Sequence, residues 1–331
     1  MLRIAVLGAG RIGKIHAANV AASPKATLIA VADPFGSAAE DLAGALSAEA
    51  ARDPKVTIER ADVDAVVIGT PTDTHVDLIL HAVRHGKAVL CEKPIDLDIA
   101  RADVALKDIE AGNGRVMLAF NRRFDPSADA LKRAILAGDV GEVRQVVITS
   151  RDPGLAPEGY LATSGGIFRD MTIHDFDMAR FFLGEEVTEV MAIGSRLVDA
   201  AMMERVNDFD TVMVQMRTAS GKQCHINCCR EAVYGYDQRF EIYGSTGMVL
   251  NENIRPSTVR RWARDFTDSG EPLLNFFLER YADAYRLELA AFIDAVESGA
   301  PMPVTARDGR QALRLADCAL ESALTGRAVT V

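Results

Sequence analysis

The sequence is short of cysteine, tryptophan and positive charge, and each shortage removes a class of protein. Five cysteines in 331 residues form an odd, irregularly spaced set. That is no disulfide framework, and it predicts a chain that works in reducing cytoplasm. No uncharged stretch approaches the roughly 18 apolar residues that a membrane span needs. The opening MLRIAVLGAG is interrupted by glycines and followed at once by Arg11 and Lys14, so it does not read as a signal peptide. Lys and Arg number 37 against 47 Asp and Glu, a net charge of −10. Such a surface argues against nucleic acid, which demands basic residues to release phosphate counterions, and against anionic membranes. What remains is an ordinary globular composition, 49% hydrophobic and 25% charged, long enough for about two domains.

The first 120 residues alternate short β-rich runs with Ala-rich helical stretches, the pattern of βαβ units and a parallel sheet. The runs are Arg3–Leu7, Thr27–Ala32, Ala65–Gly69, Ala88–Cys91 and Val116–Ala119, with helices at Ile12–Ala22, His75–His85 and Ile99–Glu110. Beyond Asn121 helices are expected at Pro126–Ala137 and Gly166–Leu183, around a strand at Val143–Arg151. Strands at Val187–Ser195, Thr211–Arg217, Gln223–Cys229, Gln238–Tyr243 and Met248–Glu252 then follow without intervening helices. That succession predicts a largely antiparallel sheet. Helical periodicity returns at Leu278–Glu297 and Arg307–Leu324. The expected fold is α/β overall: an N-terminal Rossmann dinucleotide-binding domain over 1–120, then an α+β domain over 121–331 with a large open antiparallel sheet. The terminal helix is free to pack back on the first domain.

Gly8-Ala9-Gly10-Arg11-Ile12-Gly13 follows the first strand and opens a helix. In a GxGxxG of this kind the first glycine allows the tight turn, the second lets backbone approach a pyrophosphate, and the third lets helix and strand pack closely. Asp33 stands 20 residues past Gly13 at a strand end, where a carboxylate bonds ribose hydroxyls and repels a 2′-phosphate. The expected cofactor is therefore NAD. Gly69 to His75 forms the next strand-to-helix turn, which places Thr70 and His75 among the expected cofactor contacts, beside Arg11, Ile12, Glu92 and Lys93. In a single helix over 166–183, Asp170 and His174 are i and i+4 and share a face. An imidazole within reach of a carboxylate suits proton removal from an alcohol.

These residues carry a resemblance. A GxGxxG start followed by Glu92-Lys93-Pro94 resembles the glucose-fructose oxidoreductase and inositol dehydrogenase family. Phe120 to Asp125, Phe168 to Met178, Tyr234 to Arg239 and Phe277 to Tyr281 narrow it toward the bacterial inositol dehydrogenases of that family. The resemblance implies a Lys/Asp/His site made of Lys93, Asp170 and His174, with Lys93 polarising the reacting oxygen. It implies oxidation of a secondary ring alcohol of a cyclic polyol, myo-inositol becoming scyllo-inosose. It also implies a homo-oligomer, a tetramer by analogy with the family. Another inositol isomer or a pyranose is the rival substrate, and a non-catalytic NAD-binding regulator is the rival class. Arg123, Asp152, Tyr160 and Tyr236 are offered as partners for substrate hydroxyls, although such residues also serve structural or solvent-facing parts.

The reaction asks for no metal. His81 and His85 lie four apart on a helix, a zinc-compatible spacing, but the neighbouring sequence supplies no third ligand. Cys224 and Cys228 face one side of a strand and Cys229 the other, so that cluster does not converge.

Overall fold

The computed structural model describes all residues, 1–331. The chain divides into two compact units, 1–124 with 284–313 and 125–283 with 314–331. The first break lies four residues beyond the expected one at 120. The larger difference is that Ala284–Leu313 belongs to the first unit. It is attached by main chain: the Leu118 amide donates to the Val304 carbonyl at 3.3 Å, and Met117 bridges Thr305.

In the first unit β1 (Leu2–Leu7), β2 (Ala26–Ala32), β3 (Glu49–Ala51), β4 (Ala65–Ile68), β5 (Ala88–Glu92) and β6 (Val116–Ala119) form a parallel sheet. Its order is β3-β2-β1-β4-β5-β6. The strands β4, β5 and β6 are buried at every residue, as a sheet covered on both faces requires. The helices are α1 (Arg11–Ala22), α2 (Ala38–Leu46), α3 (Pro54–Glu59), α4 (His75–Arg84) and α5 (Ile99–Ala111). Strand order reverses between β1 and β4, which is where doubly wound sheets open a crevice for a ligand.

The second unit brings α6 (Pro126–Ala137), α7 (Glu158–Leu161), α8 (Gly166–Asp170), α9 (Ile173–Leu183), α10 (Ala200–Arg205) and α11 (Phe277–Arg280). Two long helices, α12 (Ala282–Ser298) and α13 (Ala306–Thr325), each contribute to both units. The strands are β7 (Val143–Arg151), β8 (Val187–Ser195), β9 (Thr211–Thr218), β10 (Gln223–Cys229), β11 (Asp237–Gly244) and β12 (Met248–Leu250). A small ribbon pairs β13 (Arg260–Arg261) with β14 (Ser269–Gly270), and β15 (Val329–Thr330) closes one edge of the main sheet. The sheet order is β12-β11-β7-β10-β9-β8-β15, antiparallel throughout except for the parallel pair β7 and β10. In β9 buried residues alternate with exposed or half-exposed ones, so one face is covered and the other open. The helix α9 packs against β7 and β10.

The helix expected over 166–183 is broken into α8 and α9. The amides of Met171 and Thr172 both donate to the Ile167 carbonyl, at 3.0 and 2.9 Å. The Thr172 hydroxyl donates toward the Ile167 and Phe168 carbonyls. A threonine side chain thus takes up acceptors that a continuous helix reserves for its own ladder. The i,i+4 argument for Asp170 and His174 consequently lapses, since the two residues sit on separate helices.

Candidate active site

The glycine turn in the first unit separates three jobs. Gly8 has φ +99°, and a Cβ there would lie 2.6 Å from the Gly69 carbonyl oxygen. A Cβ on Gly13 would lie 1.9 Å from the Gly8 oxygen, so helix and strand touch through it. A Cβ on Gly10 would meet nothing within 4 Å. Gly10 therefore borders open space at the N-terminus of α1, where free amides favour a diphosphate. Arg11 begins that helix exposed and Ile12 is half-buried.

Asp33 closes the turn at the end of β2. Its carboxylate accepts the Ala9 amide at 2.7 Å and the Phe35 amide at 2.9 Å, which fixes its orientation beside the loop. An open cavity of about 500 Å³ lies close by, lined by Lys14, Phe35, Ser37, Asp41 and Leu42. Thr70, at the end of β4, bonds the Thr74 hydroxyl at 2.6 Å. These residues fit a dinucleotide: a cradle free of Cβ atoms, a helix N-terminus and an oriented carboxylate.

His75 and Glu92 are both held by groups of the protein itself. His75 is 1% exposed, with Nδ1 2.8 Å from the Pro94 oxygen and Nε2 2.9 Å from the Thr70 oxygen. Burial pushes its pKa below the ordinary value, against the pull of those carbonyls. The neutral ring has one N–H, so it donates to one of these carbonyls and only packs against the other, and His75 sits between the Thr70 turn and the segment that carries Lys93. Glu92 is buried too; it meets His16 Nε2 at 2.8 Å and accepts the Lys93 amide at 3.3 Å. Lys93 follows as a half-buried residue at the end of β5. Arg123 bonds Asp308 at 3.2 Å within the same unit.

In the second unit Asp170 ends α8 and is held from two sides. The Tyr160 hydroxyl donates to Oδ1 at 2.7 Å, and Arg230 donates to Oδ2 at 3.2 Å. Arg230 is buried and reaches Asp208 with its other nitrogen at 3.3 Å. Asp208 in turn accepts the Ile167 amide at 2.9 Å and so fixes the start of α8. Burial works against the Arg230 charge, but the Asp170 and Asp208 carboxylates outweigh it and raise the pKa. Burial of the hydroxyl, then the Asp170 charge, raises the Tyr160 pKa, so the phenol stays a donor. His174, near the start of α9, is half-buried. Asp152 follows β7, its amide bonded to the Cys229 carbonyl. Tyr236 is 4% exposed and packs edge to face on Tyr281.

Sequence reasoning missed Arg230, Asp208 and His16. Arg230 is 60 residues from Asp170, and His16 is 76 from Glu92, so no local spacing announces either contact.

A doubly wound sheet with a phosphate-ready glycine turn, followed by a second unit that presents an anchored carboxylate, defines a dinucleotide-dependent oxidoreductase. Residues 2–120 match the oxidoreductase family with an NAD-binding Rossmann fold, and residues 128–250 match the GFO/IDH/MocA C-terminal domain. The chain belongs to the GFO/IDH/MocA family. It is 49% identical to an inositol 2-dehydrogenase of Rhizobium meliloti over 330 residues, covering 100% of this chain and 99% of that one. The crystal structure of a myo-inositol dehydrogenase from Corynebacterium glutamicum superposes with a TM-score of 0.96 at 49% identity, covering 100% and 99% of the two chains. A scyllo-inositol dehydrogenase from Lactobacillus casei, solved with NAD(H) and scyllo-inositol bound, gives 0.93 at 30% identity and covers 100% and 99%. No helix of this chain is long and apolar enough to cross a membrane.

Proposed function

We propose that this chain oxidises a secondary ring alcohol of a cyclic polyol, myo-inositol, to 2-keto-myo-inositol, as a step in inositol catabolism. Lys93, Asp170 and His174 are the reacting groups. His174 takes the hydroxyl proton, Lys93 donates a hydrogen bond to the oxygen as it gains charge, and Asp170 stabilises the protonated imidazole. Bound NAD supplies the hydride acceptor. Gly8, Gly10 and Gly13 with the start of α1 hold its diphosphate, and Asp33 holds the adenosine ribose and disfavours a 2′-phosphate. Thr70 lines the same crevice, while His75 and Glu92 act by fixing the segment around Lys93.

The chemistry rests on the double anchoring of Asp170 by Tyr160 and Arg230, which readies a carboxylate without spending its charge on solvent. The substrate class rests on the full-length likeness to inositol dehydrogenases. Tyr160, with its ring half-exposed and its hydroxyl on Asp170, leads the proposed substrate contacts, and Arg123, Asp152 and Tyr236 are further candidates. A panel of inositol isomers and pyranoses supplied with NAD tests the assignment. Reduced nicotinamide should form fastest with an inositol; silence with every isomer, or faster turnover of a pyranose, overturns it.

The open face of the main sheet supports self-association. Ile193 and Met213, register partners on β8 and β9, are 64% and 55% exposed, and Tyr243 and Met248 pair across β11 and β12. An apolar sheet face of this kind suits a second copy of the chain, on the way to a tetramer. Five free cysteines, four of them buried, suit the cytoplasm.

A further inference from the structure

The helix pair α3 and α4 brings together a third ligand that the sequence hides. His81 lies in the last turn of α4 and His85 directly follows that helix, while Glu59, 22 residues before His81, ends α3, which packs on α4. One ligand atom from each of the three lies within 4.8 Å of the others. His81 Nε2 is 3.0 Å from Glu59 Oε1, and the two imidazole rings lie 4.5 Å apart between centroids. Neighbouring ligands of a tetrahedral zinc stand roughly 3.3 Å apart, given bonds of about 2.0–2.1 Å. The His81 and Glu59 atoms are already close to that spacing, and the exposed His85 ring lies against the His81 ring beside them.

The His85 Nδ1 lies 2.9 Å from the His81 carbonyl oxygen, an acceptor, and this contact favours the tautomer with hydrogen on Nδ1, which leaves Nε2 as the ligand atom. A ring whose other nitrogen is tied to a carbonyl is the usual outer support of a metal-binding histidine. The chain direction separates this place from the cofactor crevice: α4 starts past the carboxyl end of β4, and His81 and His85 lie at its far end, toward the amino end of β5. Neighbouring cations are engaged elsewhere: Arg84 by the Leu80 carbonyl, Arg60 by Glu49 and Asp62, and Lys87 by the Arg60 and Val63 carbonyls.

We propose that Glu59, His81 and His85 form a binding site for a divalent transition ion, Zn²⁺ in the first instance, with a water in the fourth position. Two imidazoles and one carboxylate favour Zn²⁺, Ni²⁺ or Cu²⁺ over Mg²⁺, which takes oxygen ligands in an octahedron. The ion joins α3 to α4 and stabilises the first unit without entering the reaction.

Titration calorimetry of the full chain with ZnCl₂, after removal of adventitious metal, is expected to show one strong site per chain. At a hundredfold excess over Kd, Zn²⁺ should raise Tm by about 5 °C, and the same concentration of MgCl₂ should leave it unchanged. His81→Ala and His85→Ala, both partly solvent-facing, should each weaken Zn²⁺ binding by more than tenfold, and Glu59→Gln by about tenfold, while the metal-free Tm of all three stays near that of the parent. No strong heat, or full binding by the double variant His81→Ala/His85→Ala, overturns the proposal; the latter result moves any zinc to another group such as the Cys229 thiol.

Discussion

Arg230 lies buried with one guanidinium nitrogen 3.2 Å from the Asp170 carboxylate, so the acid of the proposed catalytic set is anchored by a cation from another element. The same guanidinium serves Asp208, which caps the approach to α8. Removing one member of a buried charge group costs far more than the group contributes as a whole, because it strands the others in low dielectric. Arg230→Met should therefore lose about 3–5 kcal/mol of stability in urea unfolding. A loss below about 1 kcal/mol would mean that the two carboxylates are solvated without it.

Two glycine substitutions should part company. Gly10→Ala adds a methyl to open space at φ −71°, a conformation alanine accepts. It should fold with stability within about 0.5 kcal/mol of the parent, yet lose at least tenfold in NAD affinity, because the methyl occupies the diphosphate approach. Gly13→Ala places its methyl 1.9 Å from the Gly8 oxygen and should destabilise the fold itself by about 1–3 kcal/mol or more. Thermal melts with NAD titrations on both variants check the pair.

Glu288 supplies a pH signature. It is 0% exposed, neither carboxyl oxygen has a hydrogen-bond partner, and burial, with the Glu92 charge behind it, pushes its pKa well above the usual range. The folded state thus holds a proton that the unfolded chain releases above about pH 4.3. Folding loses stability from this group as pH rises past that value, by up to about 1.4 kcal/mol per pH unit until the folded pKa is reached. Glu288→Gln removes the dependence. Its stability advantage should be small near pH 4 and grow toward neutrality in paired denaturation curves. An advantage that stays constant over pH 4 to 8 would contradict the assignment.

The parts of this molecule that were legible from residues alone are those governed by local pattern. Runs such as Val66-Val67-Ile68 and the glycines at 8, 10 and 13 announce a parallel sheet and its phosphate turn, because periodicity and backbone demands are written within a few residues. The short elements α2, β3 and α3 between Asp33 and Val63 escaped, being too brief to set a period. The break at Met171 and Thr172 escaped because apolar spacing runs through it; a hydroxyl competing for carbonyls decides the matter. Arg230, His16 and the Glu59 partner of His81 are legible only in three dimensions, since each joins elements that are distant along the chain.

The central claim, that His174 takes the proton from an inositol hydroxyl, is tested most directly by the kcat of His174→Ala with myo-inositol and NAD. General-base loss should lower kcat by about 10²–10⁴ while NADH binding, followed by the fluorescence of the reduced nicotinamide, stays near the parent value. Turnover within a few-fold of the parent would contradict the account, since some other group would then be removing the proton.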